Sequence, residues 1–436
     1  MDDLMVMPRR RTDVWGVVLC IGLAVLFGGY FLQVLHRTRA GPDGGHFGDF
    51  RHFYFASRAL LDHTDLYTSG DKGYLYPPLI AMLYTPVARL TMPHAARAIL
   101  IVNVAFAVIG VLLGARAYTD RFDAPLTVRF VCGAALLGSI LNIDKIHMEF
   151  QMFQTNAFMF LMFMLALRWL DRRPVLAGLP LGVIFNIKYL SLAMLPWLIV
   201  RRRWKTAGAF VASAIGFALL PAIISGWSEN LRDLNVAYGG LLHMVGIGKG
   251  VEQANVEDIT AWFSCSITSA MARLTIQGLS MRMAMAFAAT IALASLAVVV
   301  MLYRREGLPL FKWPAATEQT KQPWKGTIGL EYSALLAASI CFSPQTNTKH
   351  LFLALVVTIP AAVLLLGARR GVPRYVVGVG VLILALCFIL PPGNRATEAH
   401  AQLIWIGVGG QCWGLLIGLL TLLSVGLMQV RRACSD

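Results

Sequence analysis

Long apolar runs, each closed by a cluster of arginine or lysine, recur along the whole of this chain. A run of about 20 apolar residues crosses a hydrocarbon core about 30 Å thick, and a helix satisfies its own backbone there. Such runs begin near Val14, Ala98, Arg129, Asn156, Thr206, Met283, Gly329, His350, Tyr375 and Gln402. With 57% hydrophobic and 14% charged residues over 436 positions, a water-soluble domain is excluded. The expected class is an all-α polytopic membrane protein, a single integral-membrane domain over residues 1–436.

A net charge of +15 would suit a nucleic-acid partner, but the basic residues bunch at the ends of apolar runs, where they act as topology signals. Arg9-Arg10-Arg11, Arg116 to Arg129, Arg168 to Arg173, Arg201-Arg202-Arg203 with Lys205, Arg304 to Lys325, Arg369 to Arg374 and Arg431-Arg432 all read as cytoplasmic. Both termini then lie inside, and no nucleic acid is expected. Residues 36–97 and 227–282 become extracytoplasmic loops, and 304–328 a cytoplasmic one, in a multi-pass protein of the inner (plasma) membrane. The apolar core Val14 to Leu35 is too long for a secretory signal and no small-residue cleavage site follows it. The seven cysteines show no paired spacing and read as small core residues, with no metal site. Gly246 to Gly250, GIGKG, reads as a flexible loop and not a phosphate loop. With no P-loop or dinucleotide fingerprint either, no cofactor is expected.

Two segments fit that topology only as something other than a simple crossing. Tyr76 to Leu90 is short and broken by proline, and reads as a re-entrant or interfacial element. Gly178 to Val200 lies between two clusters that both read as inside, Arg172-Arg173 and Arg201-Arg202-Arg203. A hairpin of two half-length helices satisfies that parity, with Asn186, Lys188 and Tyr189 at its tip. A lone intramembrane lysine is costly in lipid and is a functional candidate for that reason.

The polar residues hardest to explain by packing all fall on the outer side. They are Asp49 and Arg58 after the first span, Glu149, Gln154 and Asn156 in NIDKIHMEFQMFQTN, Lys188 at the hairpin tip, and Lys349 and His350 in SPQTNTKH. Singly, each has a structural reading as a solvated loop residue or a helix cap; their convergence from separate segments points to a site. The set suits glycosyl transfer from a lipid phosphate. Asp49 can take the proton of an acceptor hydroxyl while Lys188, Lys349 or His350, with Arg58, offsets charge growing on the leaving phosphate. Tyr54, Tyr67 and Tyr76 can stack on sugars or anchor the chain at the interface.

The pattern GDFRHFYFASRALLDHTDLY followed by YLYPPLIAMLYTPVARL resembles the opening of glycosyltransferase family 87, polyprenyl-phosphate-sugar-dependent enzymes of the GT-C superfamily. Downstream, QTNAFMFLMFMLALRWLDRRPVLAGLPLGVIFNIKYLSLAMLPWLIVRRRWKTA resembles that family's Gln-x-Asn helix, Ala-Gly-rich segment, Lys-to-Pro stretch and basic cluster. SPQTNTKH resembles its Ser-Pro motif.

The resemblance, over residues 46 to 365, implies a GT-C fold of about 10–12 transmembrane helices with re-entrant or half helices and extracytoplasmic loops. It further implies Asp49 as catalytic base, and Lys188 and His350 at the lipid-linked phosphate. Two stretches depart from the pattern. Ser264-Cys265-Ser266-Ile267, with Arg273 following, stands where the family tends to carry Asn-Gln-Ser-Leu, and Asn347 and Lys349 stand in place of a Trp and a His.

The expected activity is inverting transfer of a sugar, most simply mannose, from a polyprenyl-phosphate donor to a hydroxyl of a glycolipid or glycan at the extracytoplasmic face. Glu149, Gln154, Asn156 and Arg273 join the tyrosines as expected substrate contacts. Arabinofuranosyl or other pentosyl transfer is the near alternative, and a transporter or flippase of an anionic or lipid-linked substrate is the alternative of another class. A transporter of that kind is expected to show a repeated half-structure with ionisable groups near the midplane, and the sequence shows no internal repeat.

Overall fold

The computed structural model describes residues 13–38, 47–70, 73–244, 258–308, 322–367, 378 and 403–435. The Arg9-Arg10-Arg11 group, the Gly246 to Gly250 stretch, the Arg369 to Arg374 group and the start of the run at Tyr375 lie outside the described residues. In chain order the first helices are α1 (Val14–Arg37), α2 (Phe50–Leu61), α3 (Pro78–Ala88), α4 (Met92–Arg121), α5 (Val128–Ile140) and α6 (Ile143–Gln151). The middle of the chain forms α7 (Asn156–Trp169), α8 (Pro174–Phe185), α9 (Met194–Val200), α10 (Trp204–Leu219), α11 (Ala222–Ser225) and α12 (Trp227–Met244). The last third forms α13 (Ile267–Ala272), α14 (Met281–Arg305), α15 (Gln322–Cys341), α16 (Leu355–Gly367) and α17 (Gly410–Ser435). No strand occurs among the described residues, only an isolated antiparallel bridge between Ser264 and Asn347.

Among the described residues, six stretches are long and apolar enough to cross a membrane: Val14–Arg37, Met92–Arg121, Trp204–Ser225, Met281–Arg305, Thr348–Gly367 and Gly410–Arg431. The run from Arg129 departs from a single straight span. Its two helices, α5 and α6, meet at a bend of 74°. Asn142 sits at the bend, where its Nδ2 donates to the carbonyls of Leu351 at 3.3 Å and Phe352 at 3.1 Å and so pins the bend against the chain entering α16. The run from Asn156 also yields only a 14-residue helix, short of the length that spans alone. The Tyr76 to Leu90 segment becomes α3, an 11-residue helix with Pro86 inside it.

Residues 174–200 form the expected hairpin. Arg203 donates to Asp171 at 2.8 Å, so the chain returns to the level at which it entered, and the break between α8 and α9 puts Asn186 to Tyr189 at the tip. Gly178 and Gly182, four residues apart, let the backbone of α8 touch α10, as small residues do between membrane helices. A Cβ on Gly178 would lie 2.6 Å from Phe210 N and Thr206 O, and one on Gly182 would lie 2.5 Å from Ala214 N. Asn186 closes the break by donating to Ala214 O at 2.8 Å and Gly182 O at 3.0 Å.

Among the described residues, the basic clusters gather at one end of the bundle. Arg121 at the foot of α4 donates to Asp171 at 3.0 Å and to Lys325 O at 3.2 Å. Glu331 on α15 receives Arg201, Trp197 Nε1 at 2.8 Å and the Tyr303 hydroxyl at 2.8 Å. Arg431 of α17 reaches Glu306 at 3.6 Å, and Gly326 fits between Val430 and the Arg121 carbonyl. The hairpin tip and the start of α7 lie at the other end, a 14-residue helix or about 20 Å away.

Substituting Gly182→Leu should unseat the hairpin, costing about 1–3 kcal/mol through overpacking. Thermal unfolding in detergent checks this; an unchanged melting temperature would contradict the close packing of α8 on α10.

Candidate active site

Asp49 occupies the N-cap of α2, where an aspartate usually bonds the first free N–H groups of the helix, yet it makes no such side-chain bond. Its Oδ2 instead accepts from Gln154 Nε2 and pairs with the Lys349 ammonium. Gly48 makes this approach possible. It sits at φ +47°, and a Cβ there would lie 2.7 Å from Met152 Cα, so only glycine fits both the conformation and the space. On the opposite side, Phe153 takes φ +50°, a strained value for an aromatic residue, in the turn that presents Gln154.

Gln154 is held from behind: Asn103 on α4 donates to its carbonyl at 2.7 Å. Its Oε1 accepts from Lys188 Nζ at 3.3 Å, and the same ammonium donates to Asn156 Oδ1 at 2.9 Å. Asn156 in turn donates to Glu149 at 2.7 Å and to the Lys349 carbonyl at 3.1 Å. Fully buried Glu149 also accepts the Ala157 N–H at 2.8 Å, which ties it to the start of α7. Glu149, Asn156, Lys188, Gln154 and Asp49 thus form one chain of side-chain contacts, which the Lys349 ammonium closes on Asp49. The Tyr76 ring lies 5.8 Å from Lys188 Nζ, a cation–π distance. Burial first, then the nearby Asp49 charge, pushes the Tyr76 phenol well up, so it stays protonated.

His350 Nδ1 accepts the Asn347 N–H at 3.3 Å in a capping box. A neutral His350 ring therefore carries its proton on Nε2. This histidine lines two cavities. One, of about 510 Å³, holds Asp49, His52, Asn347 and Lys349 against an apolar side of Met148, Met152, Phe263, Leu403 and Ile406. The other, of about 270 Å³, runs beside Lys188 and is otherwise largely apolar, with Ile187, Leu190, Leu241 and Ile340. Leu75, Tyr76, Gln345 and His350 are common to both.

Of the residues expected at the site, Asp49, Tyr76, Lys349 and His350 reach the larger cavity, Lys188 the smaller, and Gln154, Asn156 and Glu149 form the network behind them. Four do not come to either wall. Arg58 faces Asp62 at 4.0 Å and the Ala88 carbonyl at 3.4 Å, and the Tyr54 hydroxyl donates to Leu90 O at 2.8 Å. At 3.6 residues per turn these two lie about 180° and about 140° around α2 from Asp49, whereas His52 lies about 60° away. The helical period alone was the signal for His52. Tyr67 spans the Tyr76 carbonyl at 3.1 Å and the Asp233 carbonyl at 2.9 Å, bracing the loop that carries Tyr76. Arg273 gives its donors to the carbonyls of Gly407 and Ala261, each at 2.7 Å, and Ser264 at 2.9 Å; it clamps backbone. Asn103 was visible as a lone amide in an apolar run, the kind of residue that seeks a partner inside a membrane bundle.

A helical membrane bundle with two acids, two lysines and a histidine converging at the end opposite its described basic clusters is thus defined. The model of glycosyltransferase family 87 matches residues 74–318, more than half of the chain, and the protein belongs to that family. Within the matched span lie Glu149, Gln154, Asn156 and Lys188; Asp49, Lys349 and His350 lie beyond it and join the site through the contacts above. The chain is similar to the polyprenol-phosphate-mannose-dependent alpha-(1-2)-phosphatidylinositol mannoside mannosyltransferase of Mycolicibacterium smegmatis, 28% identical over 204 residues, 42% of this chain and 46% of the relative. The chain thus matches about half the length of that curated relative.

Gly48→Ala should move the Asp49 carboxylate and lower turnover at least about tenfold, since small misplacements at a reacting centre are costly. Arg58→Ala should stay within about twofold of wild type, as surface changes away from a site do. Steady-state rates of the two variants check both; a strong loss in Arg58→Ala would return it to the site.

Proposed function

We propose that this protein is an inverting membrane glycosyltransferase that moves a sugar, most simply mannose, from a polyprenyl phosphate to a hydroxyl of a glycolipid or glycan. The observation that carries this reading is the convergence of Asp49, Lys188 and the adjacent pair Lys349 and His350 from three separate chain segments around two adjoining cavities. Family membership and the activity in the relative's name support it.

In this reading Asp49 accepts the proton of the acceptor hydroxyl as that oxygen attacks the anomeric carbon. Attack from the face opposite the phosphate inverts the configuration. Lys188, Lys349 and the Nε2–H of His350 offset the charge that develops on the departing phosphate. The donor's lipid chain takes the apolar cavity beside Lys188. An acceptor with both sugar and lipid character suits the larger cavity, whose polar side bears Asp49 and whose other side bears Met148, Met152, Phe263, Leu403 and Ile406. The site lies at the extracytoplasmic face because the arginine clusters, which stay in the cytoplasm, occupy the opposite end. Both termini are then cytoplasmic, and the membrane is the inner, plasma membrane.

The test is sugar transfer from a panel of radiolabelled polyprenyl-phosphate hexoses and pentoses by purified protein in lipid. One donor, expected to be the mannosyl lipid, should be consumed by wild type, and Asp49→Asn should lose at least about a hundredfold, as removal of a general base does. Full activity in folded Asp49→Asn would overturn the assignment of the base, and consumption of no donor would overturn the reading itself.

A further inference from the structure

The Asp49–Lys349 pair bears on how proton transfer and phosphate release are linked. Both side chains line the larger cavity and remain partly open to it, at 23% and 20% exposure. Lys349 is fixed by its backbone: Asn156 holds its carbonyl at 3.1 Å, and the next residue, His350, is locked in the capping box with Asn347. Its flexible stem and three donors leave the ammonium able to turn between partners on one wall. Lys188 is held differently: its hydrogen bonds go to the neutral oxygens of Gln154 and Asn156 at 3.3 and 2.9 Å and not to the Asp49 carboxylate.

We propose that Lys349 is a shared cation that passes from the Asp49 carboxylate to the lipid-linked phosphate during each transfer; this rests on the glycosyl-transfer reading above. The acceptor O–H bond breaks and its proton goes to Asp49, while the oxygen's electron pair forms the bond to the anomeric carbon. The bond from that carbon to the phosphate oxygen breaks with its pair left on oxygen. Asp49 goes from anion to neutral acid as the phosphate goes from diester monoanion to monoester dianion, so the total charge is unchanged and only its location shifts. Lys349 then loses its claim on Asp49 at the step at which the phosphate gains one. A single side chain thereby couples the base to the leaving group, which a lysine bound to phosphate alone would not do.

The exchange predicts that Asp49 competes with the phosphate for Lys349. Binding of a polyprenyl monophosphate, with the polyprenol as control, is to be measured for wild type, Asp49→Asn, Lys349→Gln and the double variant in nanodiscs of neutral lipid. Asp49→Asn should bind the phosphate about tenfold tighter than wild type, within the range for coupled neighbouring charges. In the Lys349→Gln background the same change should gain less than about threefold, the part due to relieved repulsion alone. Lys349→Met provides the same comparison if the glutamine variant does not fold. Equal gains in both backgrounds, or no gain in either, would overturn the exchange while leaving the transferase reading intact if wild type still transfers sugar. Failure of wild type both to transfer sugar and to prefer the phosphate over the polyprenol would instead overturn the reading beneath it.

Discussion

The arrangement of this protein depends on one constraint: four ionisable side chains meet at one end of an apolar bundle, and each needs a partner there. An unpaired charge in such surroundings costs several kcal/mol, so Asp49, Lys349, Lys188 and Glu149 cannot be positioned independently. Gln154 and Asn156 connect Asp49, Lys188 and Glu149, Asn156 also holds the Lys349 backbone, and the Lys349 ammonium pairs directly with Asp49. Because these residues come from the start of α2, the α6–α7 turn, the hairpin tip and the segment before α16, satisfying them fixes those four pieces of chain against one another. The strained turn at Phe153 and the glycine-only conformation at Gly48 are local costs of that fit.

The opposite end of the bundle shows the same rule applied to stability. Asp171 is shared by Arg121 and Arg203, and Glu331 gathers Arg201, Trp197 and Tyr303. These contacts close the base of the hairpin, so the position of Lys188 at its tip depends on ion pairs about 20 Å away, as well as on the glycines that seat α8 on α10. The two stretches that depart from the family's pattern also prove to be neighbours. Ser264 and Asn347 form the isolated bridge, and Cys265 N donates to Thr346 O at 2.7 Å. Arg273 holds the Ser264 side of that contact. A change in one stretch therefore reaches the other, and through it Lys349.

Much of this was legible in the sequence, because membrane helices follow from apolar length and arginine placement. The hairpin followed from two basic clusters that demanded the same side, and the network residues stood out as polar groups too costly to leave in lipid. The 74° bend at Asn142 was not legible, since it is pinned at two carbonyls more than 200 residues away. Arg58, Tyr54 and Tyr67 were expected at the site from residue type and their place after the first span, and Arg273 from its distance to the stretch that resembles a family motif. For the first two, the helical period of α2 already turned them from Asp49; Tyr67 and Arg273 give their donors to backbone carbonyls, among them Asp233 on α12 and Gly407, whose approach no local pattern reveals.

The most direct test of the central account is a cryo-electron microscopy structure of the protein with a non-hydrolysable polyprenyl-phosphate sugar. The account predicts the phosphate within hydrogen-bond reach of Lys349 and Lys188, the lipid chain in the cavity lined by Ile187, Leu190 and Leu241, and the anomeric carbon facing Asp49. A phosphate bound instead at the Arg121, Asp171 and Arg203 end would contradict it.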